Sequence, residues 1–293
     1  MTSQARGAES WVAWMPWTFV FLWSTGFIGA KLGLPYAPPV TFLLLRFAFV
    51  LALMLPIALV ARARWPGSPS QVAHIAAVGV LLHGGYLGGV FTAIHSGMSA
   101  GLAALIVGLQ PVLTAVAVAP ILHEHVTARQ WLGLALGFGG VALVVAQRAT
   151  LAGLTPYSGA MIVLALASIT AGTVYQKRFC AAFDLRAGSV IQFVAAGAVL
   201  APFALAFEGD PVHWTREFVF AMAWLVLVLS IGAISLLTLL IRRGAATKVA
   251  SLFYLVPPFT AVIAFLLFDE RLGPIGIAGF ALAVIGVALV VRS

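Results

Sequence analysis

The sequence predicts an all-α membrane protein: ten transmembrane helices in two inverted five-helix repeats. Three observations predict it. The chain is 62% hydrophobic and only 8% charged, with a mean hydropathy of +1.10; a soluble domain carries about a quarter charged residues. Its apolar residues fall in runs of about twenty, the length that crosses the hydrocarbon of a bilayer. And the chain repeats itself at a constant offset of 146 residues.

The segments follow in order, each closed by Pro, Gly or charge. Segment 14–32 ends at the proline-rich stretch Pro35 to Pro39, 38–61 at Arg62 to Pro69, and 71–93 at Gly97. Segment 98–121 ends at His123 to Arg129, and 129–147 at Arg148 to Pro156. Segments 157–179 and 187–207 are parted by Asp184 to Arg186, and Glu208 to Arg216 closes the latter. Segments 215–241, 245–268 and 273–291 are parted by Arg242 to Gly244 and by Asp269 to Pro274. The runs are uniformly apolar rather than alternating, which excludes a strand barrel. The first continues for about twenty residues without a small-residue cleavage site, so it reads as a retained helix.

The repeat is clearest where Ala104 to Val145 lies on Ala250 to Val291, with sixteen of forty-two positions identical and no gap. Pro111 falls on Pro257, Glu124 on Glu270, and Gly140 to Val145 on Gly286 to Val291. Further back, Gly26 falls on Gly172, Lys31 on Lys177, Pro56 on Pro202 and Thr92 on Thr238. The two units are therefore 1–147 and 157–293. Five helices is an odd number, so the second unit enters the membrane upside down. Such inverted repeats build inward and outward gates around one midplane site, the architecture of alternating access.

Orientation follows from Lys and Arg. With the N-terminus cytoplasmic, eleven of these residues fall inside and four outside, Arg46 lying within a helix. Both termini are then cytoplasmic, in a multi-pass protein of the bacterial inner membrane. The net charge of +8 is scattered over segment ends and forms no basic stripe, so no nucleic-acid partner is expected. A single cysteine, Cys180, excludes an internal disulfide and a cysteine metal site.

Two motifs resemble the EamA-type repeat of the drug/metabolite transporter superfamily. One is Trp23 through Lys31, a proline-rich turn, then Leu45-Arg46-Phe47. The other, present in both units, is a mid-helix proline, an acidic residue at the helix end, and a Gly/Ala-rich helix closing on Gly-Val-Ala-Leu-Val-Val. The second unit carries Gln192 where the first has Arg46, and Ile169 where it has Trp23. The resemblance spans residues 14 to 291 and implies a carrier of small metabolites, amino-acid exporters among them.

Polar and aromatic groups inside the hydrocarbon are the candidate substrate-binding residues, because burying them unpaired is costly. His83 and Tyr86 share a face of the third helix among glycines; His83 either lines a cavity or bonds a neighbouring carbonyl. Gln110 precedes Pro111, which frees a carbonyl one turn earlier; its amide reads a zwitterion or satisfies that carbonyl. Trp23, Tyr175 and Tyr254 complete the set. Strict symmetry cannot place both Gln110 and Tyr254 in the cavity, since Tyr254 corresponds to Gly108, about 200° around the helix. Arg46, roughly 12 Å inside its helix, is expected either to pair with Glu270 as a gating or structural pair or to snorkel to the interface.

His123-Glu124-His125 lacks a third strong ligand, so no metal is expected. No zinc-protease, nucleotide-binding or Cys–His motif is present, so the expected protein is neither an enzyme nor a cofactor binder. The predicted hydrocarbon core holds no Asp or Glu, leaving His83 as the ionisable group in its middle and favouring facilitated diffusion over proton coupling. The expected function is export of neutral, especially aromatic, amino acids or similar amphipathic metabolites. Its partners are a small-molecule substrate and the lipid bilayer, and the protein is a monomer or weak homodimer. Efflux of aromatic cations is the rival within the class; an intramembrane enzyme or a non-transporting scaffold is the rival outside it.

Overall fold

The computed structural model describes residues 3–110, 112–114, 127–148, 154–180, 183–233, 236, 240, 253–271 and 273–291. Pro111 and the His123-Glu124-His125 motif lie outside them. Regular structure among the described residues is helical throughout. In chain order the helices are α1 (Ser3–Gly33), α2 (Pro39–Val60), α3 (Pro69–His95), α4 (Ala100–Val107) and α5 (Ala128–Arg148). They continue with α6 (Pro156–Phe179), α7 (Leu185–Phe207), α8 (Arg216–Ala233), α9 (Val256–Phe268) and α10 (Pro274–Val291). By length and composition α2, α3, α6, α7 and α8 can each cross a membrane.

The helix starts are set by local chemistry. Pro39, Pro69, Pro156 and Pro274 each open a helix, where the missing N–H costs nothing. Ser68, Ser99, Thr155, Asp184 and Thr215 each accept a hydrogen bond from a first-turn backbone N–H, and Thr155 and Ser158 close a reciprocal capping box. Asp269 ends α9 in the left-handed region, and Gly97 takes φ 98° in the turn between α3 and α4. Helix α1 starts well before the predicted position 14, because hydropathy marks what enters the membrane and not where the helix begins.

Two helices depart from regular α geometry. Val80–Gly85 in α3 and Trp224–Ala233 in α8 are π-helical. At the offset of 146, residues 80–85 correspond to 226–231, inside the second segment. The same local distortion therefore recurs at equivalent places in the two units.

The core is built where α1, α2, α3 and α8 meet. Phe42 packs on Phe91 (5.3 Å between ring centroids) and on Phe218 (5.0 Å), all three fully buried. Large apolar side chains elsewhere point outward, among them Leu59 and Val60 on α2, Leu205 and Phe207 on α7, and Leu266 and Leu267 on α9. An apolar exterior of this kind suits lipid rather than water.

Helices α5 and α10 cross on glycines, and the crossing is reciprocal. A Cβ on Gly140 would run into the backbone of Gly279 and Ala283; one on Gly286 would run into that of Gly133 and Gly137. Subtracting the offset turns the first set into the second. Rising residue numbers on one helix meet falling numbers on the other, so the two run antiparallel.

Candidate functional site

Polar groups are brought together between α2, α3, α7 and α8. The His83 Nε2 lies 3.3 Å from the Gln192 carbonyl oxygen; that oxygen only accepts, so Nε2–H donates. The imidazole stacks on Phe193 at 4.3 Å with a 20° interplanar angle, and Phe47 stands 6.2 Å away on the α2 side. Arg46 reaches from α2 to α8, where its Nη2 donates to Ser230 Oγ at 3.1 Å. Ser230 Oγ in turn donates to the Leu225 carbonyl within the π-helical segment. Tyr86 follows directly on the π-helical turn of α3 and is half-buried.

Arg46 and Gln192 hold the same place in the two units, and each reaches the π-helical segment of a helix in the opposite unit. A π turn widens the helix and re-aims side chains, which is why such turns recur at functional sites. Close approach makes these contacts possible. A Cβ on Gly79 would strike the Gln192 backbone, and one on Gly85 the Ser168 side chain.

A second polar group joins α6 to the residues that follow α4. The Gln110 amide nitrogen donates to Thr114 Oγ1 at 3.1 Å and to Thr173 Oγ1 at 3.2 Å. Its structural partners are thus hydroxyls. Val256, the position equivalent to Gln110 in the other unit, brings its carbonyl to 3.2 Å from Ser24 Oγ on α1, whose hydroxyl also lies 2.7 Å from the Val20 carbonyl. Trp23 stands in an aromatic group with Phe19 (5.3 Å) and Phe253 (5.1 Å).

One expectation is corrected. Arg46 does not pair with Glu270. Glu270 is taken by Lys31 in an ion pair and accepts from the backbone N–H groups of Ala100 (3.2 Å) and Gly101 (3.4 Å). Arg46 also does not snorkel, being only 5% exposed. Tyr175 does not join His83. Its hydroxyl lies 2.8 Å from His74 Nδ1 and its ring packs on Phe179; His74 stands nine residues before His83, roughly 13 Å back along α3 at 1.5 Å per residue. Tyr254 has its backbone in the short turn Phe253–Leu255, and its side chain lies outside the described residues.

The sequence alone did not place Gln192, Phe193 or Thr173 in the site. Gln192 was within reach, since it is the position aligned with Arg46; the others sit in runs whose composition says nothing of which way they face. Among the described residues no group of three His, Cys, Asp or Glu side chains is placed to hold a metal ion.

The model of the EamA-like transporter family matches residues 10–146 and 158–292. The transporter YvbV of Bacillus subtilis (strain 168) is 30% identical over 288 residues, covering 92% of this chain and 88% of its own. A probable amino-acid metabolite efflux pump of Salmonella typhimurium is 28% identical over 279 residues, covering 91% and 90%. A crystal structure with 21% identity superposes with a TM-score of 0.66 over 94% of each chain, which shows a shared fold.

Proposed function

Because this chain belongs to the EamA-like transporter family, we propose that it is a secondary carrier exporting neutral amino acids, aromatic ones above all, or similar small amphipathic metabolites. Its place is the bacterial inner membrane, with both termini cytoplasmic. The observation that carries the reading is the layer formed by His83, Gln192, Arg46 and Ser230, with aromatic rings beside it. Polar groups are costly at this depth and mark the path of a polar cargo. Phe47, Phe193 and His83 offer ring faces to its apolar side chain.

Ten helices in two inverted units give this site access to either side in turn. The antiparallel, reciprocal crossing of α5 and α10 supports the inversion, and so do the π-helical segments at equivalent positions. Tyr86, Gln110 and Trp23 complete the proposed wall, with Tyr254 assigned from its sequence position. With no nucleotide-binding motif in the sequence, transport runs downhill or on an ion gradient. Efflux of aromatic cations fits less well, since among the described residues the layer holds a buried arginine and no carboxylate.

Counterflow in proteoliposomes against a panel of amino acids, sugars and organic cations tests the proposal, with and without a pH gradient. Counterflow of neutral amino acids is expected, with losses in His83→Ala and Gln110→Ala. Flux of cations alone, or of nothing from well-folded protein, overturns it.

A further inference from the structure

Arg46 is buried between helices of a membrane protein at 5% exposure, and its side chain is short of partners. The guanidinium carries five N–H donors and cannot shed its charge. One donor goes to Ser230 at 3.1 Å, while Nε is buried without a hydrogen-bond partner. Serine offers no charge in return.

No acid among the described side chains supplies one. Glu270 is committed to Lys31, Asp184 to Arg186 and Asp269 to Arg271. Glu208 accepts from the backbone of Val40 and Thr41 and from the Thr41 hydroxyl. Asp210 and Glu217 are exposed around the start of α8. A buried cation with neither counter-charge nor full hydrogen bonding is strongly destabilising.

The neighbours show what completes it. His83 and Tyr86 lie within reach of the Arg46 charge, and the rings of Phe47, Phe193 and His83 pack in the same layer. Polar fork and apolar wall stand side by side. We infer that Arg46 is the carboxylate anchor of the transport site: the cargo is a small carboxylate with an apolar or aromatic side chain, received on the fork that includes the unpaired Nε. A planar carboxylate matches a guanidinium fork with two parallel hydrogen bonds, which a hydroxyl or an amide cannot do. The counter-charge that no described side chain supplies is then brought by the cargo. The second unit has Gln192 at this position, so one anchor serves one carboxylate and the site is asymmetric.

The inference rests on the transport reading, and the experiment separates the two. In detergent, the thermal shift of the purified full chain is measured with phenylalanine, phenylalaninamide, phenethylamine and 3-phenylpropanoate. In proteoliposomes, the same compounds compete for phenylalanine counterflow. Wild type is expected to prefer the two carboxylates over the amide and the amine by about tenfold or more. Arg46→Gln is expected to lose that preference. If Arg46→Gln does not fold, Arg46→Lys decides; it keeps the charge without the fork, and its preference should fall at least about threefold. A wild-type protein indifferent to the carboxylate overturns the anchor, and so does a variant with unchanged preference. Absent counterflow beside an intact, Arg46-dependent thermal shift would overturn export while leaving the anchor standing.

Discussion

Lys31 and Glu270 form an ion pair across 239 residues of chain, joining the end of α1 to the residues just past α9. The same carboxylate accepts from the first backbone N–H groups of α4, where helix geometry leaves such donors unpaired. One side chain thus ties three helices at one end of the bundle. Glu270→Gln removes the charge and keeps one acceptor, so a loss of about 1–3 kcal/mol is expected. Unfolding of Lys31→Gln, Glu270→Gln and the double variant checks it, with coupling of about 1 kcal/mol expected. The same cycle run on Arg46 and Glu270 should be additive, because neither touches the other.

The difference between the expected and observed partner of Glu270 shows what a one-dimensional reading carries. Pro39, Pro69, Pro156 and Pro274 read from the sequence as breaks between segments, and each opens the helix that follows because a proline at the first turn is a local preference. The offset of 146 likewise relates the two contacts of α5 with α10, Gly140 on Gly279 and Gly286 on Gly133. Arg46 and Lys31 are both basic residues of the first unit, and sequence alone does not say which of them faces Glu270. Facing was equally unreadable for Tyr175, whose hydroxyl turns to His74. The π-helical segments had no sequence signal, since Leu, Val and Gly runs form either kind of turn.

The α5–α10 crossing leaves no room for a side chain at its two closest points. Gly140→Val and Gly286→Val should each destabilise by about 1–3 kcal/mol, because the obstacle is backbone and cannot rotate away. Gly159, in the first turn of α6, meets nothing within 4 Å. Gly159→Ala should therefore be neutral, or stabilising by up to about 1 kcal/mol through helix propensity. Thermal unfolding in detergent reads all three. Equal losses at Gly140 and Gly159 would contradict the crossing.

Asp184 contributes a pH-dependent part of the stability. The Arg186 side chain, and then the backbone N–H groups of Arg64 and Arg186, hold its carboxyl well below the usual carboxylate range. A group depressed on folding stabilises fully above its unfolded value of about 4 and loses that effect as pH falls through the folded value. Asp184→Asn keeps a capping side chain but not the pair with the exposed Arg186, so at pH 7 it should cost no more than about 1 kcal/mol. The gap from wild type should stay constant between about pH 5 and 8 and shrink below about pH 4. Unfolding midpoints across that range check it; a gap that changes near neutrality would assign the effect to another group.

The separation of His83 from Tyr175 gives the sharpest functional contrast. His83 is held between Gln192 and Phe193, and removing either partner leaves the other group unsatisfied or unpacked. His83→Ala and Gln192→Ala should each raise the KM for counterflow. Their double variant should fall short of the sum by about 1 kcal/mol, because one shared hydrogen bond is counted twice in the single changes. Tyr175→Phe breaks only the bond to His74 and keeps the ring on Phe179, so its KM should match wild type while its unfolding midpoint drops slightly. KM measured in the same liposome preparation decides between the two tyrosine roles. A raised KM in Tyr175→Phe with no change in His83→Ala would move the transport path to the His74 end of α3.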